Sequence, residues 1–287
     1  MSEQTPLRRF VAEFAASRVA LAGLALLSLI VLIALAAPWL APQDPYDLAK
    51  LDLLDSRQPP GGKYLLGTDG QGRDMLSAIF YGLRVSLYVG VASGVIALTL
   101  GALVGVFAAY VGGRFESLLM RVVDIQLGFP AILVALILIA VLGKGVDKII
   151  FALVCVQWAY YARTARSAAL VERGKEYIEA ARGLGLSHAR IVFRHLLPNA
   201  LPPLIVVGTV QVAHAIALEA TLSFLGLGLP STEPSLGLLI ANGYEYLLSG
   251  RYWISMYPGI ALLLAILSIN LVGDQLRDVL NPRLARA

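Results

Sequence analysis

Residues 85–110 read VSLYVGVASGVIALTLGALVGVFAAY, 26 positions without a charge. About 20 mostly apolar residues let a helix cross the hydrocarbon core of a bilayer. The run is continuously apolar rather than alternating, which excludes a strand of a membrane barrel. Within it Gly90 and Gly94, and Gly101 and Gly105, stand four apart, the spacing at which membrane helices pack closely. The composition agrees with a membrane chain. Its 287 residues are 58% hydrophobic and 15% charged, and the mean hydropathy is +0.74. A soluble domain carries about 25% charged residues. Disorder, a secreted disulfide scaffold and an ordinary cytosolic enzyme are therefore excluded. Cys155 is the single cysteine, so no intrachain disulfide is possible.

Five further segments have the same character. Residues 19–41 and 252–273 are uncharged, and 122–142 hold only Asp124. Residues 149–162 form the shortest segment, extended outwards from Val146, and 200–232 hold Glu219 and His214. The expectation is an all-α polytopic membrane protein with six transmembrane helices. The first segment exceeds the roughly 7–15 apolar residues of a signal-peptide core, so it is expected to stay as a helix.

Six spans put both termini on the side of the 111–121 and 163–199 loops. That side carries 15 Lys and Arg residues against 8 on the other, so both termini are expected in the cytoplasm. The chain then divides into a cytoplasmic tail (1–18), a first helix (19–41), an outer loop (42–84), a transmembrane core (85–280) and a second cytoplasmic tail (281–287).

The outer loop is rich in turn residues, with Pro42-Gln43-Asp44-Pro45 and Pro59-Pro60-Gly61-Gly62, which cannot continue a helix. Its glycines Gly67, Gly70 and Gly72 do not follow a strand and lack the dinucleotide spacing, so they read as a tight turn. Met75, Ile79, Phe80 and Leu83 recur at helical spacing and predict an amphipathic helix near the outer surface. The inner loop 163–199 predicts two short helices. The first runs from Thr164 to Arg182 and is stopped by Gly183 and Gly185. The second is capped by Ser187 and ended by Pro198. A basic helix pair could suggest a DNA reader, but this one is clamped between spans without its own core, so no nucleic-acid partner is expected. An apolar helical face in a cytoplasmic loop marks a protein partner instead.

In this loop Glu179-Ala180-Ala181, three residues, Gly185, nine residues, a position held by His195, one more, then Leu197-Pro198 resembles the EAA motif of inner-membrane permeases of binding-protein-dependent ABC importers. His195 stands where the pattern has a hydrophobic residue. Gly67-Thr68-Asp69, Gly72-Arg73-Asp74, Ser77, Tyr81-Gly82 and Arg84-Val85-Ser86-Leu87 resemble the outer loop of dipeptide, oligopeptide and nickel importers. The similarity is to their second, C-type permease subunit, although Ala78 takes the place of an expected arginine. Leu222 to Gly228 followed by Pro234-Ser235-Leu236-Gly237 is similar to the same subunit.

The resemblance implies a type I ABC importer permease in a bacterial inner (plasma) membrane. It implies as partners a second permease subunit, two cytoplasmic ATPase subunits and a periplasmic solute-binding protein. Loop 163–199 becomes the coupling loop, with Glu176, Glu179, Ala180, Ala181, Arg182, Gly185, Leu197 and Pro198 as the ATPase contact. The substrate implied is a peptide. Nickel or glutathione within the same family, and a secondary transporter driven by an ion gradient, are the alternatives.

No cofactor is expected on this chain. A phosphate-binding loop needs Lys followed by Ser or Thr, and the residues after the five lysines are Leu51, Tyr64, Gly145, Ile149 and Glu176. ATP and magnesium belong to the partner ATPases, and the chain is not expected to be an enzyme. His188, His195 and His214 lack zinc spacing, so no metal is expected. Inside the membrane, ionisable groups face a pore or a partner by default. Glu219, His214 and Asp124 are therefore the substrate-path candidates, with Glu219 alternatively a hydrogen-bonded packing residue and Asp124 alternatively paired with Arg121. Pro130 is expected to kink the third span.

Overall fold

A computed structural model describes residues 5–280 apart from 46, 48, 50 and 231. The tail 281–287 lies outside the described residues. The described elements are helical: α1 (Pro6–Ala15), α2 (Arg18–Leu40), α3 (Met75–Val111), α4 (Gly113–Leu127), α5 (Ala131–Leu142), α6 (Val146–Arg173), α7 (Glu176–Gly183), α8 (His188–Phe224), α9 (Leu236–Tyr244) and α10 (Trp253–Leu280). Helices α2, α3, α8 and α10 are long and apolar enough to cross a membrane. The bent pair α4–α5 makes a fifth span if taken as one. The sixth expected span falls in α6. That helix is 28 residues long, but from Arg163 onward it is charged and leaves the apolar set.

Two expectations change. The amphipathic helix of the outer loop is not separate, because α3 runs unbroken from Met75 to Val111 over 37 residues. Asp74 caps it, accepting from Ser77 N–H at 2.8 Å, and Met75, Ile79 and Leu83 are buried against α2, α9 and α10. The third span is not a kinked helix. Gly128–Pro130 turns the chain through 87° between α4 and α5, because Pro130 has no N–H to donate and disfavours helical backbone in Phe129. The tail before the first span contains α1, an amphipathic helix tied down by Gln275 Nε2, which donates to the Glu13 carbonyl at 3.1 Å.

The outer loop folds as a set of tight turns. Gly67 and Gly72 have φ of +76° and +78°, a region open to glycine. The Asp69 carboxylate accepts from Gln71 N–H (2.8 Å) and Arg73 N–H (2.9 Å). Burial pushes the Asp69 carboxyl above its usual range against those two bonds. Gln43 staples the end of α2 to the start of α3, its Oε1 accepting from Asp74 N–H at 2.7 Å.

The core is the contact of α3 with α6 and α8. A Cβ on Gly105 would lie 2.2 Å from the Ala162 carbonyl oxygen, and one on Gly101 2.5 Å from that of Trp158. Both clashes are with the backbone of α6. A Cβ on Gly90 would lie 2.7 Å from Ile216 and one on Gly94 3.0 Å from Val212, both on α8. The two small-residue pairs thus serve different partner helices on one side of α3. Gly105→Leu should cost about 3 kcal/mol, the upper range for overpacking, read as a lower thermal midpoint and loss of monodisperse protein. Gly208→Ala, at a helical position with open space beside it, should lose nothing in the same assay.

Candidate functional site

The inner loop is built from the ends of three helices. Helix α6 stops at Arg173, and α7 starts after Gly174, so the helix expected from Thr164 to Arg182 is two. Glu172 bridges the break, accepting from Lys175 Nζ at 2.6 Å and Tyr177 O–H at 2.7 Å. Burial works upward on the Glu172 carboxyl, but these two donors hold it below the usual range. Burial and the Glu172 contact push the Tyr177 phenol up to about 12.

Helix α7 has two faces. Ile178 and Ala181 are buried against Tyr110, Leu186 and Ile191, so α7 rests on α3 and α8. Glu176, Glu179, Ala180, Arg182 and Gly185 are exposed, and Leu184 is 79% exposed. Among the described residues Glu176 and Glu179 have no side-chain hydrogen bond or ion pair, while Arg182 lies 5.5 Å from the Tyr110 ring centre.

The Ala-to-Gly spacing of the motif has a geometric cause. Gly185 has φ +71°. Its N–H donates to the Arg182 carbonyl at 3.0 Å, and Leu186 N–H donates to that of Ala181 at 3.2 Å. This double closure of a helix end needs positive φ at one position, which glycine supplies. The same closure ends α8, with Gly226 at φ +75° and Leu227 N–H bonded to the Leu222 carbonyl at 3.0 Å.

Pro198 does not end the second helix. Ser187 caps it as expected, at 3.4 Å from Arg190 N–H. Residues Ile191–Leu196 then form a π-helical stretch that runs on into Leu197–Phe224. Leu197 N–H reaches back to the Val192 carbonyl, and the wider turn makes room for the Pro198 ring. Leu197 is half-buried against the core and Pro198 is exposed. Both lie in α8, outside the face that α7 presents. Asn199 Nδ2 donates to the His195 carbonyl at 2.6 Å and to Tyr177 Oη at 3.2 Å, which ties α8 to α7.

A cleft of about 890 Å³ opens between α6, α8 and α10. Tyr160, Thr164, Gln211, His214, Asp274 and Arg277 are among its polar groups, and Glu172 and Asn199 line it too. His214 faces it, with Nδ1 3.3 Å from Gln211 Oε1. Gln211 was not among the sequence candidates, although it lies one helical turn before His214 on the same face.

The other two path candidates lie elsewhere. Glu219 is 0% exposed, because five residues from His214 is about 140° around the helix. Its carboxylate accepts from Ser86 Oγ at 2.8 Å and Ser223 Oγ at 2.9 Å, and from the Ser235 hydroxyl. Ser235 also caps α9, accepting from Leu238 N–H at 3.0 Å. Glu219 thus joins α3, α8 and the outer segment that leads into α9. Asp124 pairs with Arg163 on α6 rather than with Arg121. Both side chains are more than half exposed, and such pairs contribute about 0–1 kcal/mol. No cluster of three or more His, Cys, Asp or Glu suited to a metal occurs among the described residues.

Comparison with known proteins agrees with this architecture. Residues 101–286 match the family described as binding-protein-dependent transport system inner membrane component. Residues 5–60 match the N-terminal transmembrane domain of oligopeptide transport permease C. A putative peptide transport system permease protein of Brucella suis is 45% identical, over 91% of this chain and 87% of its own length. The di/tripeptide transport system permease protein DppC of Pseudomonas aeruginosa is 40% identical over 99% and 94%. The dipeptide permease DppC of Bacillus subtilis is 35% identical over 94% and 83%. Among solved structures, an inward-facing MetNI methionine ABC transporter matches with a TM-score of 0.58 at 23% identity. It covers 71% of this chain and 97% of that one, so the fold is shared.

The serine cage predicts non-additive energetics. Removing the carboxylate in Glu219→Ala strands buried hydroxyls, which cost about 1–3 kcal/mol when unsatisfied. The thermal midpoint should fall, and a double-mutant cycle of Ser86→Ala with Glu219→Ala should show coupling. Additive losses would place Ser86 and Glu219 in separate environments.

Proposed function

This chain belongs to the family of binding-protein-dependent transport system inner membrane components, and we propose that it carries peptides across a bacterial inner membrane as one half of an ATP-driven importer's pathway. It is a membrane permease of the peptide ABC type, similar to the C-type subunit. The second permease, two cytoplasmic ATPases and a periplasmic binding protein complete the assembly. Both termini lie in the cytoplasm, as the 15-to-8 distribution of Lys and Arg supports. ATP and magnesium, held by the ATPases, supply the energy.

Helix α7 is the ATPase contact. The observation that carries this is its two-sidedness: exposed, unpaired Glu176 and Glu179 on one face, buried Ile178 and Ala181 on the other. The exposed carboxylates and the 79% exposed Leu184 are left free to meet a partner surface. The buried face links α7 to Ile191 of α8 and Tyr110 of α3. The Glu172–Tyr177–Asn199 chain links it to α6 and α8. A displacement of α7 therefore moves two of the three helices that wall the cleft. Gly185 shapes the turn, and Leu197 and Pro198 support α8 behind it. His214 and Gln211 meet the substrate in the cleft, where the pair can hydrogen-bond peptide groups alongside the charged Asp274 and Arg277 at the end of α10. Glu219 acts from behind that wall by holding the outer segment.

The charge reversal Glu179→Lys should abolish ATP-driven uptake while the permease still inserts in the membrane. Copurification of the ATPase should be lost, or its hydrolysis should no longer respond to substrate. Assembly and uptake both unchanged would exclude α7 as the coupling contact. His214→Ala should raise the peptide concentration for half-maximal uptake by up to about ten-fold, the worth of one hydrogen bond. ATPase copurification should stay as in the parent.

A further inference from the structure

We infer that an anionic phospholipid occupies the apolar groove between the end of α3 and the start of α8. This groove is separate from the cleft and has a volume of about 490 Å³. Leu103, Phe107 and Tyr110 line one wall, and Ala189, Phe193 and Leu197 the other. Phe107 and Phe193 are 50% and 58% exposed. Leu103 to Tyr110 spans about 10 Å along the helix, at the end of a membrane-crossing run. An apolar groove at that depth faces acyl chains rather than water. Its mouth is basic and aromatic. Tyr110 Oη is hydrogen-bonded to His188 Nδ1 at 2.5 Å, and the Arg182 guanidinium lies over the Tyr110 ring. Arg190 follows groove-lining Ala189 in sequence and is exposed. Arg114, also exposed, precedes Phe115, whose ring packs edge-on against Phe107 at 5.8 Å. The nearby carboxylate of Glu116 is paired with Arg166 and does not offset these cations.

A tyrosine at the interface, an apolar slot on one side of it and cations on the other match the charge order of a lipid with a negative headgroup. Basic pockets beside spanning helices on the cytoplasmic side bind such headgroups, and Tyr sits at that level by preference. The placement of this mouth in the cytoplasmic leaflet rests on the orientation proposed above. The site adjoins α7 through Tyr110, which packs against the buried face of that helix.

The test uses the purified transporter complex in nanodiscs of phosphatidylcholine with or without phosphatidylglycerol, and native mass spectrometry of retained lipid. The parent should retain phosphatidylglycerol in preference to phosphatidylcholine. Ala189→Trp, at an exposed position, should fill the slot and remove both lipids. Arg114→Gln with Arg190→Gln should lower phosphatidylglycerol retention by roughly 25-fold, about five-fold for each cation, and leave phosphatidylcholine unchanged. Equal retention in all three proteins would overturn the proposal, as would a photo-crosslinker at Phe193 that captures the partner permease or an ATPase instead of lipid. If Ala189→Trp fails to assemble, the arginine pair decides the matter. Lipid retention is measured without transport, so its failure leaves the coupling role of α7 standing. Unchanged assembly and uptake in Glu179→Lys would sink the coupling role alone.

Discussion

The close approach of α3 to α6 governs the rest of the molecule. Gly101 and Gly105 let the backbone of α6 come to within the space of a missing Cβ. Membrane helices gain little from hydrophobic exclusion, since lipid is as apolar as their side chains, so contact at this range is what holds them. The consequence runs along both helices. The end of α3 places Tyr110 under α7, and α6 runs directly into the Glu172 bridge that launches α7. Ala162 and Ala165, small residues facing Gly105, complete the fit from the α6 side.

From that contact the architecture separates into a held outer end and a poised inner end. On the outside, bonds are dense and buried: the Asp69 turn, the Asp74 cap, the Gln43 staple and the serine cage of Glu219. On the inside, α7 is eight residues long and is fixed by a few side chains. A helix this short is not stable alone, so its geometry comes from Ile178, Ala181 and the Gly185 turn. Firm packing at one end and a lightly held helix at the other suit the coupling role proposed for α7.

Much of this was legible in the sequence, and the misses have particular causes. The uncharged run 85–110 and its glycine spacing announced a closely packed span. The Gly185 turn and the Ser187 cap were readable because each depends on one residue's local chemistry. Pro130 and Pro198 show where local chemistry runs out. Both lack an N–H, yet Pro130 sits at an 87° break and Pro198 inside a continuous helix. The difference is the π-helical stretch before Pro198, which arises from packing of Ile191, Val192 and Leu196 on the core. Among the path candidates, His214 and Glu219 looked equivalent as polar residues in one apolar segment. About two-fifths of a turn of phase puts one in the cleft and the other among serines that include two from distant segments.

The sequence by itself determined that the chain lies in a membrane, that it is helical, and where the loop carrying the Glu-Ala-Ala motif falls. Hydropathy, charge placement and the Glu-Ala-Ala-to-Leu-Pro spacing are carried by neighbouring residues and need no fold to be read. Tertiary structure alone decided which glycine meets which helix, that Asp124 pairs with Arg163, and that Ser86 and Ser235 close on Glu219. Those contacts join residues 39, 133 and 16 positions apart in the chain. Their free energy depends on the distance and orientation set by packing, which no local pattern encodes.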